Sequence, residues 1–525
     1  MVNKYRQDKL PESSNSYWTN YDELPNFPKL NTDIHVDAVI VGGGITGITT
    51  AYLLTNAGLK VALLESDRLL NGTTGHTTAK ITAQHDLIYD ELIRNIGIDR
   101  AGMYYESNME ALNFIKKTIE LHEIDCDFSP QDAWLYATTE KYQEKIEKEA
   151  IAYEKLNIKG SLVDSIPFGI EVKNALIMSN QAQFHPVKYL TALVKQIISK
   201  GAQIFEQTTA VDVKTRIQPT VYTSEKFSVT ADYILACSHF PFYEGIGLYS
   251  ARMHAERSYI IAAKSNVKYP GGMYLSADEP KRSLRSVTIN DEEMILIGGE
   301  SHKTGQSEDT LKHYEALEVF GKHHLGLEVS SHRWSAQDLI TIDKVPYVGK
   351  ITQGQDRILI ATSYRKWGMT NGTHAAILLS DLVLKRKNNY QDLYRPSRFY
   401  PIPSIKNLIV QNANVVEQLI KGKLQLSHIT TESIANDEAV AILTIDGERK
   451  GAYKDKEGKI HIVDTTCTHI GCEVDWNSGE RSWDCPCHGS RFSYTGEVLE
   501  GPAEKPLQKY DYKMIDNLTS DDSGY

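Results

Sequence analysis

Four residues near the C-terminus have the types and spacing of a metal site. Cys467 and His469 form a C-x-H pair, and Cys485 and His488 form a C-x-x-H pair. Thiolate and imidazole groups bind zinc and also bind iron–sulfur clusters. The chain has 6 cysteines, and four of them lie between positions 467 and 487. This clustering indicates a metal centre rather than a disulfide scaffold, with zinc and iron both open.

A second feature with chemical meaning is a glycine motif in the first strongly apolar stretch. Gly42, Gly44 and Gly47 fit the pattern G-x-G-x-x-G. The first glycine permits a tight turn, the second lets the backbone approach a pyrophosphate, and the third lets a helix pack close to the strand. The amides of Ile45 and Thr46 would then lie at a helix N-terminus, where N–H groups and the helix dipole favour phosphate.

The elements that must position this motif occur in the required order. Ala38–Val41 predicts a buried strand, a helix runs from about Ile45 to Asn56, and Val61–Leu64 predicts a second strand. Glu65 ends that strand, where a carboxylate can accept hydrogen bonds from a ribose diol. One alternative is a glycine-rich turn in an ordinary α/β fold, which the complete unit argues against. The other is a membrane span over the uncharged stretch Ala38–Leu59, which its glycines and threonines argue against.

The segment after Glu65 is rich in glycine and small hydroxyl residues around His76 and Lys80. Together with the glycine motif and Glu65, it resembles the D-amino-acid oxidase superfamily of FAD enzymes. The resemblance implies that FAD binds here, with Thr73 and Thr74 in the loop that wraps it. In the dimethylglycine dehydrogenases of that superfamily, a histidine after a similar G-S-T-x sequence carries the flavin covalently, and His76 falls at that position. The alternative is that His76 only hydrogen-bonds the loop or the phosphates.

Later segments resemble the same superfamily. Gln183–Lys200 resembles its His-Pro helix, and Ala231–Ser238 resembles the strand that returns to the nucleotide domain. Ala210 and Val211 match the place where the backbone meets adenine. Met253–Ile297 alternates in the manner of several strands, which fits the antiparallel substrate-domain sheet of the superfamily.

That alternating stretch contains Arg257, Tyr259, Arg282 and Arg285. Some of them could face the flavin, and an arginine there could bind a substrate carboxylate bidentately. The alternative for each is a surface or salt-bridge residue. Elsewhere, the apolar spacing of Ile88–His122 predicts helix.

The stretch Trp334–Thr370 resembles the closing segment of the superfamily, in which a last helix begins under the flavin ring. The N-terminus of such a helix stabilises negative charge that develops on the flavin on reduction. Three residues match its turn: Gly368, Met369 and Thr370. Arg365 and Lys366 fall where related oxidases place a cation for the substrate carboxylate, and the alternative is ordinary loop charge.

The C-terminal motifs CTHIGC, CPCHGS and GPAEKPL resemble the Rieske iron–sulfur domain. The resemblance implies a [2Fe–2S] cluster with Cys467 and Cys485 on one iron, and with His469 and His488 on the other. Histidine ligands raise the reduction potential of such a cluster. Two cysteines and two histidines also suit zinc, which remains the alternative.

The same resemblance assigns roles to neighbouring residues. Cys472 and Cys487 would form the disulfide that ties the two ligand loops together, and Ser490 matches a hydroxyl donor to a cluster sulfide. Phe492 departs from the pattern, because high-potential members have a tyrosine hydroxyl there against a cysteine ligand. The missing donor implies a lower potential, since hydrogen bonds to the sulfurs stabilise the reduced cluster.

Length and charge limit the function classes. A chain of 525 residues is expected to hold several domains, and its net charge of -11 argues against a nucleic-acid partner. The start has neither a basic stretch followed by an apolar run nor a twin arginine, so we expect a cytoplasmic protein without a transmembrane segment. The expected disulfide is at odds with a reducing cytosol, although a buried disulfide shielded by the cluster could survive there.

The expected fold class combines three parts. They are an α/β FAD-binding domain (Rossmann-like, GR2/DAO type), an antiparallel α+β substrate domain, and an all-β Rieske domain. The expected boundaries are an N-terminal arm at 1–35, an oxidoreductase region at 36–400, a linker helix at 401–425 and the Rieske domain at 426–525. FAD-binding parts fall at about 36–100, 180–250 and 335–400, and substrate parts at about 101–179 and 251–334.

The combination implies an FAD- and [2Fe–2S]-dependent oxidoreductase. A flavin can take two electrons from a substrate and release them singly, and a Rieske cluster takes one at a time. By resemblance the donor is a small amine or amino acid, and the acceptor is an external one-electron protein or quinone. Two alternatives stay open: a reductase fed by the cluster, and a redox carrier or sensor without a small-molecule substrate. No motif for a mononuclear iron is visible, which argues against a Rieske oxygenase.

Overall fold

The computed structural model describes residues 10–11, 14–21, 23–215, 217–399, 410–419, 434–443 and 449–510. The chain divides into two compact units. The larger unit comprises Met1–Tyr249, Ser258–Ser301 and Tyr314–Ile405, and the smaller comprises Ser250–Arg257, His302–His313 and Lys406–Tyr525. In the described ranges, no helix is long and apolar enough to cross a membrane.

The helices follow one another along the chain as α1 (Ile45–Asn56), α2 (Tyr89–Ile96), α3 (Ile98–His122), α4 (Glu140–Lys155), α5 (Pro186–Ser199), α6 (Tyr249–Arg252), α7 (Leu311–Leu325), α8 (Gly368–Val383), α9 (Gln391–Tyr394) and α10 (410–419). The stretch predicted to be helical at Ile88–His122 forms two helices, because Gly97 has a positive φ of 89° and separates α2 from α3. Helix α10 lies within the predicted linker 401–425, and the rest of that linker lies outside the described residues.

The strands before residue 400 are β1 (Ile34–Val41), β2 (Val61–Leu64), β3 (Lys80–Ile81), β4 (Ser129–Ala137), β5 (Gly160–Val163), β6 (Asn174–Gln183), β7 (Gln203–Phe205), β8 (Ala210–Lys214), β9 (Thr220–Thr223), β10 (Ser228–Ala236), β11 (Met253–Ala263), β12 (Met273–Ser276), β13 (Arg282–Ile289), β14 (Glu292–Lys303), β15 (His332–Thr341), β16 (Tyr347–Lys350) and β17 (Ile358–Thr362). Those of the C-terminal part are β18 (Glu438–Leu443), β19 (Arg449–Lys454), β20 (Ile460–Asp464), β21 (Asp475–Asn477), β22 (Ser482–Asp484), β23 (Arg491–Ser493), β24 (Val498–Glu500) and β25 (Lys509–Tyr510).

The nucleotide-type sheet of the larger unit has the strand order β16-β17-β10-β1-β2-β7. Its central pairs, from β7 through β2, β1 and β10 to β17, are parallel, and β16 runs antiparallel at the edge. Strand β2 is buried along its whole length, as expected for an apolar strand inside a parallel sheet. The predicted strand–glycine turn–helix–strand unit is confirmed, with α1 bounded by Ile45 and Asn56.

A second sheet, most of whose residues belong to the larger unit, has the order β15-β11-β14-β13-β12-β4-β6-β3. It is mainly antiparallel, as predicted for the substrate part, but β4 and β12 pair in parallel. The N-terminal arm packs on the larger unit through Trp18, which is fully buried and donates from Nε1 to the Thr77 carbonyl at 2.7 Å.

In the described residues 434–443 and 449–510 of the smaller unit, the regular elements are all β-strands. One sheet has the order β18-β19-β20-β25 and the other has the order β21-β22-β23-β24. A buried cluster that includes Trp483, Phe492 and Leu507 packs with the cysteines of the two candidate ligand loops. The loops therefore rest on a hydrophobic core of their own.

Candidate functional site

The glycine motif forms a cradle of close backbone contacts. An added Cβ at Gly42 would collide with the carbonyl oxygen of Cys237, and one at Gly47 would collide with the carbonyl oxygen of Gly42. These two glycines are therefore fixed by packing of β1 against β10 and of α1 against the turn. A Cβ at Gly44 would instead meet only the Thr74 side chain, with Oγ1 at 3.0 Å. The space at Gly44 is thus limited by one flexible side chain and not by backbone.

The acid at the end of β2 binds the glycine turn directly. Glu65 accepts a hydrogen bond from the Gly43 amide at 2.7 Å and another from the Asp67 amide at 3.0 Å. Burial raises the pKa of Glu65, and the Asp67 and Gly43 amides oppose that shift. Because a carboxylate has about four acceptor positions, these contacts leave capacity for a ribose hydroxyl.

The Gly-Thr-rich loop folds into a single 3-10 turn, Thr73–His76. Its Thr74 hydroxyl accepts from the Ile45 amide at 3.1 Å, and its Thr73 hydroxyl donates to the Gln337 carbonyl at 3.3 Å. His76 Nδ1 lies 3.0 Å from the Gly72 carbonyl, so that nitrogen must carry the proton and donate it. The loop therefore contacts the N-terminus of α1 through Thr74.

The start of α8 lies against the start of α1. The Thr46 hydroxyl and the Tyr364 hydroxyl are 2.8 Å apart, and a Cβ at Gly372 would come within 3.0 Å of Ile45 Cγ2. Two helix N-termini, at Ile45 and at Gly368, thus converge, and each offers amide groups that favour negative charge. Met369 and Thr370 are buried in this first turn of α8.

A buried histidine that the sequence did not single out supports this turn. His85 Nδ1 lies 2.7 Å from the Tyr104 hydroxyl, and its Nε2 lies 2.8 Å from the Thr82 carbonyl and 3.1 Å from the Thr370 hydroxyl. Its ring stacks on Trp367 with centroids 4.8 Å apart. Burial, helped by the nearby Arg365 charge, lowers the pKa of His85 to about 3, so the ring is neutral. Its place shortly after the Gly-Thr-rich loop was the available signal.

The two candidate substrate cations point to different partners. Arg365 Nη2 donates to the carbonyl oxygen of His85 at 2.6 Å. Lys366 Nζ instead donates to the Ser258 hydroxyl at 2.7 Å and to the Ser301 hydroxyl at 3.0 Å, and lies 3.9 Å from Asp338. Lys366 therefore belongs to a polar cluster on the second sheet, whereas Arg365 braces the His85 backbone.

Three other candidates in that sheet also have protein partners. Arg257 is fully buried and pairs with Glu500 at 2.9 Å, and Arg282 pairs with Glu300 at 2.6 Å. Arg285 donates to the carbonyls of Thr78 and Ala79, both at 2.9 Å. Arg257 and Arg282 are thus salt-bridge residues, the alternative stated for them.

Two more residues of the larger unit can be placed. Lys80 is buried and donates to the Ser283 hydroxyl at 2.7 Å, and burial lowers its pKa to about 7. Val211 is half-buried in β8, next to a register shift between Ala210 and Asp212. Its expected contact with adenine stays a prediction.

The candidate metal ligands come from two facing loops. The Cys467 amide donates to the Cys472 carbonyl at 2.7 Å, and the Cys485 amide donates to the Ser490 carbonyl at 2.7 Å, so each loop is closed by its own backbone. The rings of His469 and His488 lie 5.1 Å apart at 90°. The Cys467 and Cys485 side chains are joined by a hydrogen bond, so the structure brings the two cysteines and the two histidines together as pairs.

The chemistry of these side chains fits a metal cluster. The pKa of the Cys467 thiol is lowered to about 7, because its sulfur takes part in hydrogen bonds with the Cys485 side chain, the His469 amide and the Ser490 hydroxyl. Burial opposes this shift. Burial and the nearby His469 lower the pKa of His488 to about 4, so this ring is neutral, as a metal ligand must be. Buried His488 Nδ1 has no hydrogen-bond partner among the described residues, which suits a nitrogen that binds a metal.

Cys472 and Cys487 are joined by a disulfide, which links the two loops. The sulfur atoms of Cys472, Cys485 and Cys487 all lie within 4.8 Å of one another, so the disulfide is adjacent to a candidate ligand. The Ser490 hydroxyl accepts from the Ala503 amide at 3.0 Å and reaches Cys467. Phe492 is fully buried in the same hydrophobic cluster as Cys467 and Cys485.

Comparison with known protein families gives two matches that together cover most of the chain. Residues 37–382 match the DAO family, FAD dependent oxidoreductase, and residues 428–511 match the Rieske [2Fe-2S] domain. These matches imply FAD in the first region and a [2Fe–2S] cluster in the second. The residues described above fit both groups.

Individual relatives agree with this division. The protein named "Putative Rieske 2Fe-2S iron-sulfur protein YhfW" of Bacillus subtilis (strain 168) is 49% identical over 511 residues, with 97% of this chain and 100% of that protein covered. Gamma-glutamylputrescine oxidoreductase of Escherichia coli (strain K12) is 22% identical over 416 residues, which cover 76% of this chain and 96% of that one. The crystal structure of glycine oxidase from Geobacillus kaustophilus superposes with a TM-score of 0.58 at 16% identity, covering 70% of this chain and 99% of that chain. This last likeness shows the fold.

Proposed function

Because the chain belongs to the FAD dependent oxidoreductase (DAO) family and carries a Rieske [2Fe-2S] domain, we propose that it is a dehydrogenase for a small amine or amino-acid-like substrate. When bound, FAD would supply two-electron oxidation of a C–N bond, and the cluster would supply one-electron transfer to an external protein or quinone. The names of gamma-glutamylputrescine oxidoreductase and glycine oxidase support this substrate class.

The polar cluster around Lys366 is the observation that carries the proposal. Lys366 lies two positions before Gly368, where α8 begins, and its ammonium rests on the hydroxyls of Ser258 and Ser301. An ammonium and hydroxyl groups are donors that suit a substrate carboxylate. Asp338, 3.9 Å from Lys366, adds an acceptor that suits a substrate ammonium group. The cluster therefore has both charges that an amino acid would require.

The proposal also assigns residues to the two cofactors. We assign the dinucleotide to a cradle that consists of Gly42, Gly44, Ile45, Thr46, Gly47, Glu65, Thr73, Thr74, His76 and Val211, with the flavin ring at Gly368, Met369 and Thr370. We assign the cluster to Cys467, His469, Cys485 and His488, with the Cys472–Cys487 disulfide beside it. Arg365 is assigned a supporting role, because its guanidinium binds the His85 carbonyl rather than the Lys366 cluster.

Anaerobic mixing of the purified protein with candidate amines and amino acids tests the reaction. Loss of the oxidised flavin absorbance on addition of a small molecule supports a dehydrogenase. Loss only with reduced ferredoxin or an NADH-linked reductase would indicate flow in the reverse direction. A flavin that no small molecule reduces would indicate a carrier or sensor.

Substitution of the lysine tests the substrate class. Hydrogen bonds to charged groups are worth about 1.5–3 kcal/mol, so Lys366→Met should raise KM for an amino acid roughly 10- to 150-fold. A substrate amine that lacks the carboxylate should lose much less. Lys344→Met is the matched control, because Lys344 also lies in a loop that follows a strand, here β15, but pairs with Glu91 at 2.6 Å. Equal losses for both classes of substrate would contradict the assignment.

A further inference from the structure

A row of opposite charges crosses one sheet of the smaller unit beside the candidate cluster. Asp484, Arg491 and Glu500 are direct cross-strand neighbours on β22, β23 and β24. Arg491 bonds to Asp484 through Nε at 3.1 Å and to Glu500 through Nη1 at 2.7 Å. Although burial opposes the shift, Glu500 and Asp484 raise the pKa of Arg491, so it stays charged. Within this row two carboxylates share one guanidinium, which leaves one negative charge to be balanced.

Arg257 supplies the balancing charge. Its side chain is fully buried, and its Nη2 donates to both carboxylate oxygens of Glu500 at 2.9 and 3.1 Å. Its Nε lies 4.0 Å from Asp484 Oδ2. Arg257 belongs to the smaller unit but lies on β11, outside the segment 428–511 that matches the Rieske family. The chain therefore adds a buried cation that the Rieske segment itself does not contain.

Asp484 connects Arg257 to the ligand loop, because Asp484 directly precedes Cys485 in the chain. It is almost fully buried, and its carboxylate also accepts from the Ser482 hydroxyl and the Asn477 amide group, both at 2.7 Å. Movement of Asp484 would move the Cys485 backbone, which is fixed to it by a rigid peptide unit.

A second segment of the smaller unit packs on the same loop. Gly305 has a positive φ of 71°, and a Cβ there would lie 2.6 Å from the Pro486 nitrogen and 2.8 Å from the Asp484 carbonyl oxygen. Gln306 Nε2 donates to the Pro486 carbonyl at 3.0 Å. The loop that carries Cys485 is thus held from two places outside the matched Rieske segment.

We propose that Arg257 is a positioning residue of the iron–sulfur site, which balances the charge beside Cys485 and so favours the reduced cluster. The proposal rests on the cluster ligands assigned above. The reduced cluster carries one more negative charge than the oxidised cluster, and a nearby cation stabilises it more strongly. Loss of Arg257 should therefore lower the reduction potential, and loss of Glu500 should raise it.

A double-mutant cycle in the full-length loaded protein tests this, with the potential measured by redox titration of the cluster's electron paramagnetic resonance signal. Arg257→Gln should shift the one-electron equilibrium three- to tenfold toward the oxidised cluster, which is a fall of about 30–59 mV. Glu500→Gln should shift it in the opposite direction, and the double variant should return close to the native value. Arg282→Gln is the matched control, because it breaks an arginine–glutamate pair of 2.6 Å in the larger unit and should leave the potential unchanged.

The readout is the potential and not turnover, so this test is independent of the substrate. An Arg257→Gln protein with full iron content and an unchanged or raised potential would overturn the proposal. Where Arg257→Gln retains no cluster, the Glu500→Gln variant decides: a raised potential supports the proposal, and an unchanged or lowered one overturns it. Gly305→Ala should release iron, since its Cβ cannot fit against Pro486; iron retained with an unaltered resonance signal would refute the bracing role of that segment.

Discussion

Two glycines of the same motif should respond differently to substitution by alanine. Gly47 packs against backbone, and its added Cβ would collide with the Gly42 carbonyl oxygen, which cannot move aside easily. Gly44 has extended φ and ψ of -89° and -169°, and its added Cβ would meet only the flexible Thr74 side chain at 3.0 Å. Gly47→Ala should therefore disturb folding, whereas Gly44→Ala should disturb only the binding of FAD.

The size of each effect follows from these contacts. An added methyl group in a packed site typically costs about 1–3 kcal/mol, and Gly47→Ala should lower the free energy of unfolding of the FAD-free protein by at least that amount. For Gly44→Ala the same cost should appear in binding, because the methyl group would displace Thr74, which is assigned to the loop that holds FAD. That cost corresponds to roughly 5- to 150-fold weaker FAD binding.

The assay measures both quantities on each variant. Denaturant unfolding of the FAD-free protein gives stability, and quenching of flavin fluorescence on titration gives the FAD dissociation constant. Gly102→Ala is the control, because Gly102 lies inside α3 and its Cβ would meet Leu156 Cδ2 at an ordinary 3.8 Å. This variant should be more stable by up to about 1 kcal/mol. Native FAD affinity in Gly44→Ala would show that the glycine does not face the dinucleotide.

Three further expectations concern single residues. Phe492→Tyr should raise the cluster potential by tens of millivolts, since a tenfold change in a one-electron equilibrium is about 59 mV; an unchanged or lower potential would mean that position 492 does not reach the cluster. His76 should be the attachment point of any covalent flavin, so a coloured acid-precipitated pellet must become colourless in His76→Ala. Burial lowers the pKa of His374 to about 3, so the unfolded state binds more protons below pH 6.5 and stability falls as pH falls. His374→Leu should remove about 2 kcal/mol of the stability loss between pH 7 and pH 5, and an unaltered slope in denaturant titrations at the two pH values would contradict this.

The sequence predicted the local units of the fold closely. The glycine turn, α1 and β2 fall at the expected residues because the hydrophobic pattern, turn glycines and strand lengths agree there. The stretch Ile88–His122, predicted as a single helix, forms two helices in the structure. The positive φ of Gly97 that separates them cannot be inferred from apolar spacing. The parallel pairing of β4 with β12 also could not be predicted, because strand alternation carries no information on partner or direction.

Side-chain partners that are distant in sequence explain most of what was missed. From the sequence Arg257 is either a flavin-facing cation or a salt-bridge residue, and its partner in the structure, Glu500, is 243 positions away. The role of His85 depends on Thr370, which lies 285 positions later in the sequence and contacts the His85 ring in the structure. An isolated arginine or histidine does not show in the sequence which of many possible partners folding will bring to it.

The proposed substrate site is harder to predict from the sequence than the candidate metal centre, and the reason is again the distance in sequence between its residues. Cys472 and Cys487 are separated by 15 positions, and the loops that carry the four candidate ligands are short turns closed by their own backbone. The motif therefore indicates a metal centre from the sequence, and its resemblance to the Rieske domain implies the cluster. The second sheet aligns β11, β14 and β15, which carry Ser258, Ser301 and Asp338. Lys366 reaches Ser258, 108 positions away, from the loop after β17. A motif encodes a site when one or two loops build it, whereas a site built from several strands depends on the register of the whole sheet. The proposed substrate site is therefore tested best by varying the sheet residues Ser258, Ser301 and Asp338 together with Lys366, rather than by varying Lys366 alone.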